Sequence, residues 1–234
     1  MLPKNELRPK RPPYTHKEVL YTVRHLAQCL VNNNVDLYYV DEVHFPITQT
    51  ATHHWTRADS NGHNLYYNRR ITQLEKLSVI ALCSTTQFVA IQIFKREITG
   101  DDFLFFMQEA LLHLPTKAKV SVLADNATWH RSETVTKTRV AKALEFNAPA
   151  LFQANLIENC FSFVRSMFRK RPVVETYEEE ARLLLQIFFD PRNQHRFEGC
   201  LRNHLRSLES LLFENYAAIH SKQQRTTRKT KSQV

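Results

Sequence analysis

Three carboxylates carry the chemistry that this sequence offers. Asp125 closes the run KVSVLAD (119–125), and Asp41 closes VDLYYVD (35–41). Such runs read as buried strands, each delivering one acid at its end. Glu158 lies 33 residues beyond Asp125, early in a stretch of helical periodicity. Brought within several ångströms, these charges repel: at an effective dielectric near 20, two unit charges about 4 Å apart cost roughly 4 kcal/mol. A fold that assembles them needs a compensating cation, and hard oxygen donors with few nitrogens favour Mg²⁺ or Mn²⁺ over zinc. Two such ions suit phosphodiester chemistry, because they activate an attacking water or 3′-hydroxyl and stabilise the departing oxygen in an in-line displacement. Asp41, Asp125 and Glu158 are therefore expected as catalytic residues, acting first as metal ligands.

The neighbouring polar residues take supporting roles. Glu42 follows Asp41 and points to the other side of its strand, which suggests a structural or ligand-supporting task. Asn126 and His130 are placed to position water, substrate or Asp125. Along the helix of Glu158, Ile157, Phe161, Val164 and Phe168 recur at core spacing, while Arg165 and Arg169 share the face of Glu158. With Lys170 and Arg171 they form a basic stripe suited to a DNA backbone. The pair His53 and His54 lacks the thiols or spaced third ligand of a zinc site and reads as part of a loop.

The elements that must position these residues follow in an informative order. Residues 1–13 form a basic, proline-containing arm, and 15–31 an amphipathic helix. The strand ending at Asp41 precedes a polar insertion, 46–75. Two runs, 77–83 and 88–95, read as a β-hairpin. Thr99 and Asp102 mark a capping box that opens a helix over 101–114, closed by Pro115. Next are the strand of Asp125, a helix over about 132–144, a short strand near 145–148 and a helix over 155–169. The order β-β-β-α-β-α-β-α, with antiparallel strands first and parallel crossovers later, is the topology of a ribonuclease H-like α/β fold: a mixed five-stranded sheet flanked by helices. In that fold, acids at the ends of the first and fourth strands and on the last helix converge.

A C-terminal helical extension follows, with helices over 177–189 and about 194–219. They are read as folding back on the core, with a dimerising hairpin as the alternative. Residues 221–234 hold five Lys or Arg and no acid, and read as a disordered polybasic tail. The domain reading is thus arm and linker helix 1–34, catalytic domain 35–171, helical extension 172–220 and tail 221–234.

Composition limits the classes of partner. Lys and Arg number 32 against 23 Asp and Glu, a formal charge of +9 that favours a polyanion such as nucleic acid. No apolar run approaches the ~20 residues of a membrane span, and the N-terminus lacks the apolar core of a signal peptide. The four cysteines form no CxxC pair, which argues against a zinc ribbon or a disulfide framework. An intracellular setting follows: the nucleus given the basic tail, or the cytoplasm if the source is bacterial.

Taken together, YVDEVHF (39–45), HHWTR (53–57), SVLADNATWHRS (121–132) and NLIENCFSFVR (155–165) resemble the DDE catalytic domain of mariner-superfamily transposases and related bacterial insertion-sequence transposases. The resemblance covers about residues 11–171. It implies a ribonuclease H-like domain that binds two Mg²⁺ or Mn²⁺ ions and cuts and joins DNA ends, with a homodimer as a possible assembly. It places the three acids on Asp41, Asp125 and Glu158, with Asn126 and His130 in the second motif and Arg57 beside Trp55 in an element after the first strand. Two departures stand out. The proline-rich turn before the third acid is replaced by APALFQANLIE (148–158). Residues 15–31 match only the linker that would follow the family's helix-turn-helix domains, which leaves three readings: a separate DNA-binding subunit, a fragment of a longer protein, or a captured derivative with a changed task. The alternative is a non-catalytic DNA-binding or interaction protein derived from a transposase.

Overall fold

The computed structural model describes residues 15–32, 34–46, 76–114, 119–149, 151–171, 174 and 176–231, with side chains described as far as 218. Arg57, Trp55, the His53–His54 pair and the basic arm lie outside the described residues.

Five strands, β1 (Val35–Pro46), β2 (Lys76–Cys83), β3 (Phe88–Phe94), β4 (Lys119–Ala124) and β5 (Leu144–Phe146), form one sheet in the order β3-β2-β1-β4-β5. β1 pairs antiparallel with β2 and parallel with β4. The hairpin between β2 and β3 turns at Ser84, whose N–H donates to the Gln87 carbonyl at 2.9 Å. β2 is buried almost throughout, consistent with its place between two strands and two layers of helix.

The helices are α1 (His16–Val31), α2 (Gly100–His113), α3 (Glu133–Thr136), α4 (Leu156–Arg169), α5 (Tyr177–Phe189) and α6 (Gln194–Lys231). Reciprocal capping boxes at Thr15/Glu18, Thr99/Asp102 and Thr176/Glu179 start α1, α2 and α5 by satisfying N–H groups that lack an intrahelical partner. Each face of the sheet carries its own core. Leu37, Tyr39, Val43 and Phe45 of β1 pack with Leu26 of α1, Phe161 of α4, Phe188 of α5 and Phe197 of α6. Tyr38 and Val40 pack with Phe103 and Met107 of α2 and Val135 of α3. This two-residue alternation assigns Asp41 to the α4 face and Glu42 to the α2 face.

Three expectations need correction. β1 runs past Asp41 to Pro46, because its pairing with β2 continues there, while its pairing with β4 stops at Tyr39; Asp41 is therefore within the strand and not at its end. The helix read over 132–144 is only the single turn α3, flanked by 3₁₀ turns at Thr128–Arg131 and Arg139–Lys142. Hydroxyls in SETVTKT bond the backbone instead: Thr136 Oγ1 donates to the Ser132 carbonyl at 3.1 Å and Thr138 Oγ1 to that of Val135 at 2.7 Å. Such bonds compete with helix propagation. At the other end, α6 continues to Lys231, so the backbone is helical through most of the tail that was expected to be disordered. No proline or glycine occurs after Gly199 to stop it. α5 and α6 fold back on the core, burying Leu184, Phe188, Phe197 and Leu208.

Candidate active site

The register of the central strands brings the two aspartates side by side. Tyr39 pairs with Leu123, and each acid lies two residues further along its chain. Leu123 belongs to the α4-face core, so Asp125 leaves the end of β4 on the same face as Asp41. α4 begins just after Asn155 and carries Glu158 in its first turn. Asp41, Asp125 and Glu158 all border one open cavity of about 290 Å³, together with Asn126, Asn147 and Asn155.

Asp41 is 8% exposed. Its Oδ1 accepts from the Glu42 N–H at 2.8 Å, and its Oδ2 from Asn155 Nδ2 at 3.3 Å. Burial, followed by the charges of Glu42, Glu158 and Asp125, pushes its pKa up to about 8. Near neutral pH this carboxyl is largely protonated unless a cation draws the proton away.

Asp125 is held differently. Its Oδ1 meets His130 Nδ1 at 2.7 Å and accepts the Ala127 N–H at 3.0 Å. Burial would raise its pKa, but these bonds and the charge of His130 outweigh burial and hold it below the ordinary value. His130 is fully buried, its ring 4.1 Å from that of Phe103 and 3.9 Å from that of Trp129. Its Nε2 lies 3.1 Å from Glu42 Oε1. Burial opposes its charge, yet bonds to Asp125 and Glu42 push its pKa up to about 9. Both ring nitrogens therefore donate, and the imidazolium bridges two acids. Glu42, turned to the α2 face, anchors His130, a task consistent with its place in the sequence.

The basic residues divide. Arg165 is half-buried and Arg169 and Lys170 are exposed. At 1.5 Å rise per residue, Arg169 lies about 16 Å along α4 from Glu158. Arg171 does not belong to a DNA-facing stripe. It is 9% exposed, its Nε and Nη2 engage the Glu180 carboxylate, its Nη1 donates to the Phe168 carbonyl at 2.7 Å, and its guanidinium lies 3.5 Å over the Phe168 ring. It locks the end of α4 to α5.

Asn155 was not foreseen as a site residue. It stands where a helix cap would, yet its side chain makes no capping bond and turns to Asp41 instead. The signals for it were an Asn just before an acid-bearing helix and its place in the stretch that replaces the family's turn.

Among the described residues, no group of three His, Cys, Asp or Glu side chains is arranged to hold a metal ion. The donor chemistry nevertheless fits a hard divalent cation. The three acids on the cavity are oxygen donors, and two buried amide oxygens of its lining, Asn147 Oδ1 and Asn155 Oδ1, have no hydrogen-bond partner.

A mixed sheet in this order, with one acid within the central strand, one just past the end of its parallel neighbour and one on the helix after the last strand, defines a ribonuclease H-like domain with a carboxylate-lined cavity. The chain belongs to the DDE superfamily endonuclease family, whose sequence profile matches residues 36–180. Its fold is that of the Mos1 mariner transposase catalytic domain: against the crystal structure of that domain the TM-score is 0.63 at 12% identity, covering 92% of this chain and 98% of that one. Against the Mos1 mariner paired end complex with Mn the TM-score is 0.70 at 12% identity, covering 92% of this chain and 65% of that one. Against the paired end complex with Mg it is 0.67 at 11% identity, covering 92% and 65%. The chain thus spans slightly less than two thirds of the transposase chains in those two complexes. Comparison with curated protein sequences finds no match.

Proposed function

We propose that this chain is the catalytic domain of a transposase-like enzyme that cleaves DNA and transfers the cut strand. The observation that carries the reading is the convergence of Asp41, Asp125 and Glu158 on one cavity. They would hold two Mg²⁺ or Mn²⁺ ions, which supply activation of the attacking oxygen and stabilisation of the leaving one. The chain's own residues fix the acids. The Glu42 N–H and Asn155 orient Asp41, while His130, itself anchored by Glu42, orients Asp125. DNA as partner is supported by the +9 formal charge and by exposed Arg169 and Lys170. Arg57, outside the described residues, keeps its expected DNA-binding role in the proposal. A homodimer is supported by exposed Leu205, Leu212, Phe213 and Tyr216 on α6. A separate DNA-binding subunit and a nuclear location, or a cytoplasmic one in a bacterium, complete the reading.

The bond that turns Asp125 toward His130 favours a second reading: a DNA-binding protein that no longer cuts. Incubating the chain and Asp125→Asn with labelled duplex DNA and Mn²⁺ separates the two. Metal-dependent nicking by the parent that falls at least a hundredfold in the variant supports the enzyme. Salt-sensitive binding without nicking, equal in both, supports the second reading.

A further inference from the structure

The acids line only part of the 290 Å³ cavity; another part of its lining is apolar, contributed by Ala148, Pro149, Leu151 and Phe152. From Asn147 to Asn155 the chain carries no charge. Most of this wall is tightly held. Leu151 is 1% exposed and Ala154 fully buried. Asn147 Nδ2 donates to the Leu151 carbonyl, the Leu151 N–H to Ala148 at 3.0 Å and the Ala154 N–H to Leu151 at 3.1 Å. On this pinned 3₁₀ turn Phe152 is 61% exposed. A large aromatic left in water on a fixed turn contributes little to the core, and the stretch 147–155 around it has no cationic side chain to attract a phosphate.

We propose that Phe152 and the apolar wall form a nucleobase site, on which an unpaired base beside the scissile phosphate stacks while the phosphate faces the acids. This rests on the DNA-cleaving reading above. A cavity with carboxylates on one part and an uncharged aromatic wall on another matches the two halves of a nucleotide. Stacking on one aromatic ring is tolerant of base identity, so the site selects for an unpaired end over a paired one, without selecting sequence.

The test compares binding of a blunt duplex with that of the same duplex carrying a three-nucleotide single-stranded extension, using the full chain with Ca²⁺ in place of Mg²⁺. The variants are Phe152→Ala, Phe152→Leu and Phe152→Trp. The parent should prefer the extended duplex. Alanine and leucine should lose that preference by on the order of tenfold, tryptophan should keep it, and blunt-end affinity should not change. With 5-iododeoxyuridine in the extension, ultraviolet light should crosslink the parent at Phe152. Phe152 is exposed, so the variants should melt with the parent. Equal preference in the parent and Phe152→Ala, or a crosslink elsewhere, overturns the stacking site and leaves the DNA reading standing. Failure of the parent to bind either duplex overturns both.

Discussion

At the scale of single residues, Asp41 shows how the site is stressed. Its pKa of about 8 in the folded chain stands far above the ordinary 3.8. The folded state therefore holds a proton that the unfolded state has released, and stability falls as pH rises from about 4 through 8. His130 adds a contribution of the same sign: its pKa rises from 6.5 to about 9, so the stability it confers is complete below 6.5 and lost as pH climbs through 9. In metal-free buffer, Asp41→Asn should unfold less readily than the parent at pH 8 to 9. The gain should be on the order of a few kcal/mol and shrink toward pH 4. Urea denaturation across that range measures it; an unchanged pH profile would mean that Asp41 is not strained. Asp125 differs, because His130 satisfies it.

His130→Ala removes the cation between Glu42 and Asp125 and leaves Glu42, 13% exposed, without its partner. A loss of about 3 kcal/mol is expected, with His130→Gln recovering part of it through a neutral hydrogen bond. The faces taken by Asp41, Glu42 and Asp125 were legible because strand parity can be read from alternation, and the place of Glu158 because helical periodicity can; His130 stood out only as a polar residue near Asp125 and in its motif. Arg171 and Asn155 were not, since both depend on partners brought from elsewhere, Glu180 and Asp41.

At the scale of elements, the corner between α4 and α5 is held at the end of α4 opposite Glu158. Arg171 and Glu180, 4% and 3% exposed in their side chains, form a buried ion pair at that corner. Breaking one side of such a pair strands a charge, whereas replacing both with apolar groups can be neutral. Arg171→Met alone should therefore cost about 3–5 kcal/mol, and the double change Arg171→Met with Glu180→Leu should recover most of it. A double-mutant cycle by chemical denaturation reads the coupling; additive losses would rule the pair out as a unit. The capping boxes at Thr99 and Thr176 made α2 and α5 readable, because a start signal was followed by a clean apolar stripe. The stretch 132–144 has apolar residues too, but its threonines give the backbone local partners, and periodicity alone does not register that competition.

At the scale of the whole molecule, α6 fastens the C-terminal part of the chain to β1, the strand that carries Asp41. His204 of α6 is fully buried, and its Nε2 lies 3.2 Å from the hydroxyl of Tyr39, two residues before that acid. Further along α6, Asn215 Oδ1 meets His16 Nδ1 of α1 at 2.6 Å. The apolar stripe of α6 was visible in the sequence; its polar attachments were not, because 165 residues separate His204 from Tyr39. Burial lowers the pKa of His204 from 6.5 to about 4. Here the unfolded state takes up the proton more readily, so the stability is present above pH 6.5 and lost as pH falls toward 4. The parent should lose on the order of 2–3 kcal/mol across that interval from this group alone. His204→Phe keeps the ring and removes the titration. At pH 7 it should cost about 1 kcal/mol for the unpaired Tyr39 hydroxyl, yet its stability should decline less steeply than the parent's below pH 6. Thermal melts at pH 4.5, 5.5 and 7 compare the two slopes. Parallel slopes would place the acid sensitivity elsewhere. A shallower slope in the variant would show that the C-terminal helix and the central strand unfold as one cooperative unit, so that loosening α6 also loosens the strand carrying Asp41.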